Sequence, residues 1–130
     1  MALTTDDVVA IEQLVAKYNH AIDSGDGPTF ASTFTDDGVL EAVGNSTAGR
    51  AALEKFANGF GGTPMTPRHV ATNILVDGEG DKATLRAYIQ MYAKVGDPPT
   101  SQLTISGRYE DELRRVDGQW LFTRRSFVAD

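Results

Sequence analysis

Lys82-Ala83-Thr84-Leu85-Arg86-Ala87-Tyr88-Ile89-Gln90-Met91-Tyr92-Ala93-Lys94-Val95 decides the fold class. Ala83, Leu85, Ala87, Ile89 and Met91 share one phase of this run, and Thr84, Arg86, Tyr88, Gln90 and Tyr92 share the other. A period of two belongs to a strand with one face on a core. The run lies between Asp77-Gly78-Glu79-Gly80-Asp81, a hairpin signal, and Gly96-Asp97-Pro98-Pro99, a wider connection. Comparable extended runs fall at about 68–76, 100–116 and 119–128, the last two joined by the hairpin signal Asp117-Gly118. Long strands with short connections predict an antiparallel meander.

Upstream the period changes. From Asp6 to Asp23 apolar residues fall at Val8, Ile11, Leu14, Val15, Tyr18 and Ile22, the spacing of an amphipathic helix. Thr4 or Thr5 caps it, Asp6 and Asp7 complement its positive end, and Ser24-Gly25-Asp26-Gly27 stops it. Pro28 opens a shorter helix with Phe30 and Phe34 facing one way, and Asp36-Asp37-Gly38 turns the chain into the extended run Val39–Val43. Gly44-Asn45-Ser46 is read as a turn into a third helix with Leu53, Phe56 and Phe60 on its apolar face, ended by Gly59, Gly61, Gly62, Pro64 and Pro67. Three helices followed by a meander predict an α+β domain, with helices on one face of a curved sheet.

The 130 residues, 41% of them hydrophobic, suit one domain over 1–130. The chain contains no cysteine, which excludes disulfides, thiolate metal sites and cysteine nucleophiles and gives no hint of an oxidising compartment. A cytoplasmic location is the expectation, because neither a secretion signal nor a long apolar span is legible. A net charge of −6 and scattered basic residues argue against nucleic acid. Asp36-Asp37-Gly38 lacks a following set of ligands at metal spacing, and Gly59-Phe60-Gly61-Gly62 is not followed by a helix that would cradle phosphate. Neither a metal nor a cofactor is expected.

In Arg68–Val76 alternation puts His69, Ala71, Asn73 and Leu75 on one face. A histidine in an apolar pocket beside a carboxylate is suited to proton abstraction, the carboxylate setting its tautomer and stabilising its cation. Asp23, next to Ile22 at the end of the helical stripe, is the carboxylate that fits. Spacing alone favours a water-facing Asp23 and a structural His69. His20, on the helix flank, is read as solvated, and Tyr18 is either a hydroxyl donor to a ligand or a core tyrosine with its tip at the rim. Leu103, Ile105, Gly107 and Tyr109 share a face in 100–116; in the last run Trp120, Phe122 and Arg124 oppose Leu121, Thr123, Arg125 and Phe127.

Four segments carry a family resemblance: Tyr18–Asp26, Phe34-Thr35-Asp36-Asp37-Gly38, Arg68-His69-Val70-Ala71-Thr72-Asn73, and Tyr109 through Asp117-Gly118-Gln119-Trp120 to Arg124. The chain resembles the SnoaL-like group of the nuclear transport factor 2-like superfamily. The resemblance implies a cone-shaped α+β barrel, three N-terminal helices packed on a curved, mostly antiparallel sheet around an apolar cavity. The superfamily includes dehydratases, dehydrohalogenases, isomerases, epoxide hydrolases, cyclases and non-catalytic modules, so fold alone does not name a reaction. Asp23 and His69 are similar in placement to the helix-end aspartate and strand-start histidine of scytalone dehydratase and hexachlorocyclohexane dehydrochlorinase. The latter's His-x-x-Thr-Asn pattern is present as His69, Thr72 and Asn73, whereas the dehydratase's second histidine has no counterpart near Tyr92. Ala42 stands where ketosteroid isomerases carry their catalytic aspartate, and Arg108 and Asp111 do not reproduce the Asp-Arg-Asp set of limonene-epoxide-hydrolase-like enzymes.

The expected function is a dehydratase-like lyase or isomerase acting on a small apolar substrate, with His69 as base, Asp23 as its orienting partner, and Tyr18, Asn73 and Tyr109 contacting substrate. The alternative is a non-catalytic small-ligand-binding or dimeric scaffold protein in which these groups satisfy one another. A homodimer through the outer sheet face, with Tyr88 and Tyr92 as contacts, is compatible with either.

Overall fold

The computed structural model describes residues 1–61 and 63–130. The helices are α1 (Thr5–Ser24), α2 (Gly27–Ser32) and α3 (Arg50–Phe60). The strands are β1 (Phe34–Ala42), β2 (Asn45–Ala48), β3 (Arg68–Glu79), β4 (Lys82–Val95), β5 (Thr100–Val116) and β6 (Gln119–Ala129). They form one sheet in the order β2-β1-β6-β5-β4-β3, in which the β1–β6 pair is parallel and every other pair antiparallel. This is the expected α+β architecture of helices on a curved, mostly antiparallel sheet; the sheet stays open, with β2 and β3 at its edges.

The α1 helix starts with a reciprocal cap. The Thr4 hydroxyl accepts from the Asp7 N–H at 3.1 Å, and the Asp7 carboxylate accepts from the Thr4 N–H at 2.9 Å. Asp7 also accepts from Trp120 Nε1 at 3.1 Å and Arg115 Nη1 at 2.8 Å, tying the helix start to β5 and β6. These donors, the Thr4 N–H foremost and Trp120 next, hold the Asp7 carboxyl below its ordinary range. A carboxyl depressed in the folded state contributes stability above its unfolded pKa and loses it as pH falls through the folded one. Asp7→Asn is therefore expected to lower the melting temperature at neutral pH, and the gap to wild type should close as pH falls below the ordinary aspartate value of about 3.9. Thermal melts across pH read this directly.

Ile11, Leu14, Val15, Tyr18 and Ile22 form the buried stripe of α1, and Gly25, at φ 72°, caps its end in the left-handed region. Where α3 ends, Gly61 passes so close that a Cβ on it would lie 2.0 Å from the Gly25 backbone nitrogen. This backbone contact seats the α3 end against the α1 end. The expected loop contribution of Gly62 lies outside the described residues.

Three local readings change. Phe34 begins β1 instead of extending α2, because α2 stops at Ser32 and the Phe34 position pairs with Phe122 of β6. Asp36-Asp37-Gly38 is an irregularity inside β1, where the register with β6 jumps between Phe34 and Val39, and Gly44-Asn45-Ser46 runs into the edge strand β2. For Phe34 and Asp36-Asp37-Gly38, pairing with the distant β6 overrides the local preference, whereas Val43-Gly44 is the tight turn that folds β2 back on β1. The inward phase of β4 is Ala83, Leu85, Ala87, Ile89 and Met91, as its alternation predicts, and the first four join one core with Tyr18, Phe30, Phe34 and Phe122 from α1, α2, β1 and β6.

Candidate active site

Asp23 sits in the last turn of α1 and His69 at the second position of β3, and the packing of α1 on β3 brings them together. Both oxygens of Asp23 accept from the His69 backbone N–H, at 3.2 and 3.0 Å, and Oδ1 also lies 2.6 Å from His69 Nδ1. Their side chains are 13% and 9% exposed. An ionised carboxylate can only accept, so Nδ1 carries the shared proton and the neutral ring is left with Nε2 as its free base. The backbone contacts matter as much as the ring contact, because they hold the carboxylate in place whatever the imidazole does.

His69 forms part of the wall of a cavity of about 80 Å³. The remaining wall is apolar, from Ile22, Leu40, Phe56, Phe60, Ile89, Met91 and Phe127 among others, together with the two tyrosines Tyr18 and Tyr109. The Phe60 ring packs 5.6 Å from the imidazole, centroid to centroid. A lining this apolar strengthens every polar interaction within the site. On its other side Asp23 borders an open groove between α1 and β3, lined also by Asn19, His20 and Arg68. The pair thus forms the partition between an apolar chamber and solvent.

Tyr18 is 2% exposed in the aromatic core, with Phe30 at 4.6 Å, and it also lines the cavity. Tyr109 stands edge-on to it at 6.0 Å and 80°. Burial pushes both phenols above their ordinary range, and Arg125 acts against that rise. His20 is exposed, as read.

Asn73 does not join the site. The register of β3 on β4 shifts between Thr72 and Leu75, and Asn73 occupies this bulge at φ 54°, exposed and outside the cavity wall. The bulge reverses the alternation, so the face shared by His69 and Ala71 continues through Ile74 and Val76. Asparagine tolerates the left-handed region better than alanine. Asn73→Ala is expected to cost about 1–2 kcal/mol in denaturant unfolding while leaving cavity chemistry unchanged.

A buried ion pair escaped the sequence reading. Asp111 of β5 and Arg125 of β6 are cross-strand partners, 4% and 0% exposed, with Arg125 Nε donating to Asp111 Oδ1 at 3.1 Å. Asp111 continues the inward phase of Gly107 and Tyr109, a signal legible in the sequence. Arg125 turns inward because the β5–β6 register slips where Leu113 faces Phe122 and Glu112 faces Arg124, which skips Thr123. Among the described residues no group of three His, Asp or Glu side chains is placed to hold a metal, and no helix is long and apolar enough to cross a membrane.

Residues 4–126 match the family described as the SnoaL-like domain. Among solved structures, the chain is similar to a protein of unknown function from Mycobacterium tuberculosis, with TM-score 0.89 and 31% identity over 95% of this chain and 72% of that one. It is similar to a candidate aromatic ring hydroxylase from Novosphingobium aromaticivorans, with TM-score 0.79 and 30% identity over 98% of this chain and 91% of that one. A candidate scytalone dehydratase from the same species aligns with TM-score 0.82 and 26% identity over 95% of this chain and 84% of that one. No curated protein matches the sequence. The two named activities differ chemically, so the likenesses bear on family and fold rather than on one reaction.

Proposed function

The chain belongs to the SnoaL-like domain family, and from that premise we propose that it is a small-molecule lyase or isomerase working by proton abstraction. The observation that carries this reading is the 2.6 Å contact between Asp23 Oδ1 and His69 Nδ1 at the wall of an apolar cavity. Nε2 of His69 takes a proton from a carbon next to an activating group, and Asp23 stabilises the imidazolium that forms. Tyr18 and Tyr109 donate to the oxygen on which negative charge develops. The proton then returns at another carbon, giving isomerisation, or a β-substituent leaves, giving elimination. The reaction requires no cofactor. The neighbour named as a scytalone dehydratase supports the eliminating branch.

The cavity lining favours an uncharged apolar substrate, since no Lys, Arg, Asp or Glu among the described residues contributes to its wall. A cytoplasmic homodimer is part of the same proposal: Val70, Leu75, Tyr88 and Leu103 leave 40–61% of their surface exposed on β3, β4 and β5. Cross-strand register puts them on the face away from the helices.

The test is deuterium exchange in D₂O at the carbons beside the carbonyl of cyclohexanone, 1-indanone and 2-tetralone, followed by NMR. Exchange above buffer that disappears in His69→Ala supports proton abstraction. Binding of these ketones with exchange equal in wild type and variant overturns it in favour of a ligand-binding protein.

A further inference from the structure

The Arg125 guanidinium carbon lies 3.5 Å from the ring centroid of Tyr109, 4.3 Å from that of Tyr18 and 4.5 Å from that of Phe122. Its Nε is held by Asp111, while Nη1 and Nη2 have no hydrogen-bond acceptor among the described residues. An arginine with no exposed surface and two free nitrogens is costly unless something else stabilises the cation. The three aromatic faces do so, through the attraction between a cation and a ring's negative face. Two of those rings, Tyr18 and Tyr109, are also the hydroxyl-bearing aromatics of the cavity wall. Arg125 itself is absent from that wall, so it lies behind the tyrosines.

We propose that Arg125, anchored by Asp111, is a positioning residue that acts through Tyr109 and Tyr18, fixing both rings and making their hydroxyls stronger hydrogen-bond donors to a ligand oxygen in the cavity. The cation draws electron density from the ring faces, which favours the phenolate and strengthens donation by the phenol. Burial raises both phenols and Arg125 opposes it, the sense this role requires. Asp111 bonds Nε alone, which leaves the flat face of the guanidinium on the rings. A lysine at 125 would bring charge without a plane to stack.

The inference rests on the cavity being a ligand site, and its test separates the two. A difluorotyrosine of lowered intrinsic pKa is placed at position 109, and its ionisation is followed by ¹⁹F NMR in wild type, Arg125→Lys and Arg125→Met/Asp111→Leu, the last removing both charges without orphaning either. The acid constant at 109 is expected to fall by about threefold or more in the double variant, because loss of the Arg125 cation outweighs loss of the Asp111 charge that opposes it, and to recover in part in Arg125→Lys. An unchanged midpoint in the double variant overturns the proposal whatever the exchange assay gives. A shifted midpoint with no ketone exchange in wild type leaves the coupling intact and overturns the catalytic reading instead. If the double variant does not fold, Arg125→Gln removes the cation while the Asp111 charge stays, so the fall should be larger than that expected of the double variant, and an unchanged midpoint there overturns the proposal. In the ketone assay the double variant should lower kcat more than it raises KM, since a donor matched to developing charge acts chiefly in the transition state.

Discussion

His69→Ala is expected to lower ketone exchange by roughly 10²–10⁴-fold, the usual contribution of a positioned general base, with a melting temperature close to that of wild type. The fold survives because the backbone N–H of residue 69, not the ring, makes two of the three contacts to Asp23. Asp23→Asn keeps a side-chain oxygen to accept either the backbone N–H or Nδ1–H, but it removes the charge that stabilises the imidazolium. It should therefore also lose turnover heavily at little cost in stability. Asp23→Ala is harsher, since it leaves the half-buried His69 N–H and Nδ1 without their acceptor and unties α1 from β3, adding about 1–3 kcal/mol of destabilisation. Thermal melts run beside the exchange assay separate the two losses.

Arg125→Met alone is expected to destabilise the protein by about 3–5 kcal/mol in denaturant unfolding, because it strands Asp111 inside the core. Removing both charges in Arg125→Met/Asp111→Leu should be near neutral or stabilising, since apolar replacement of a buried pair restores no less than it removes. The penalty of the single variant depends on pH in a defined direction. Burial lifts the Asp111 carboxyl to about 6 against the pull of Arg125. A carboxyl raised in the folded state contributes stability that is full below its unfolded pKa and lost as pH rises through the folded one. Without Arg125 the carboxyl titrates higher still, so the single variant should be least compromised at mildly acidic pH and worsen toward neutrality. Unfolding at pH 5 and pH 8 reads the difference.

These two sites differ in how they show in the sequence. The Asp23–His69 pair was legible because each residue has a local signature, one at the end of a helical stripe and the other at the start of an alternating run, and the family resemblance joins them. The proximity itself depends on how α1 lies across β3, which spacing along the chain does not carry. Asn73 was assigned to the His69 face by counting in twos, and the count fails at the bulge that Asn73 itself occupies. The same count puts Arg125 in phase with Leu121 and Thr123, and the slip between β5 and β6 brings it instead into phase with Trp120 and Phe122.

What the sequence by itself determined is what local periodicity and chain chemistry carry: the amphipathic α1, the inward phase of β4, the placement of all three helices before the four long strands β3 to β6, and the class of groups available for chemistry. The tertiary structure alone decided which strands pair in parallel, where each register slips, and therefore which polar groups turn inward. The physical reason is that a one-residue bulge costs little locally yet reverses the facing of every residue beyond it. Its position is chosen by the summed packing of distant strands and helices, as with Arg125, drawn into the core by three rings and a carboxylate from elsewhere in the chain.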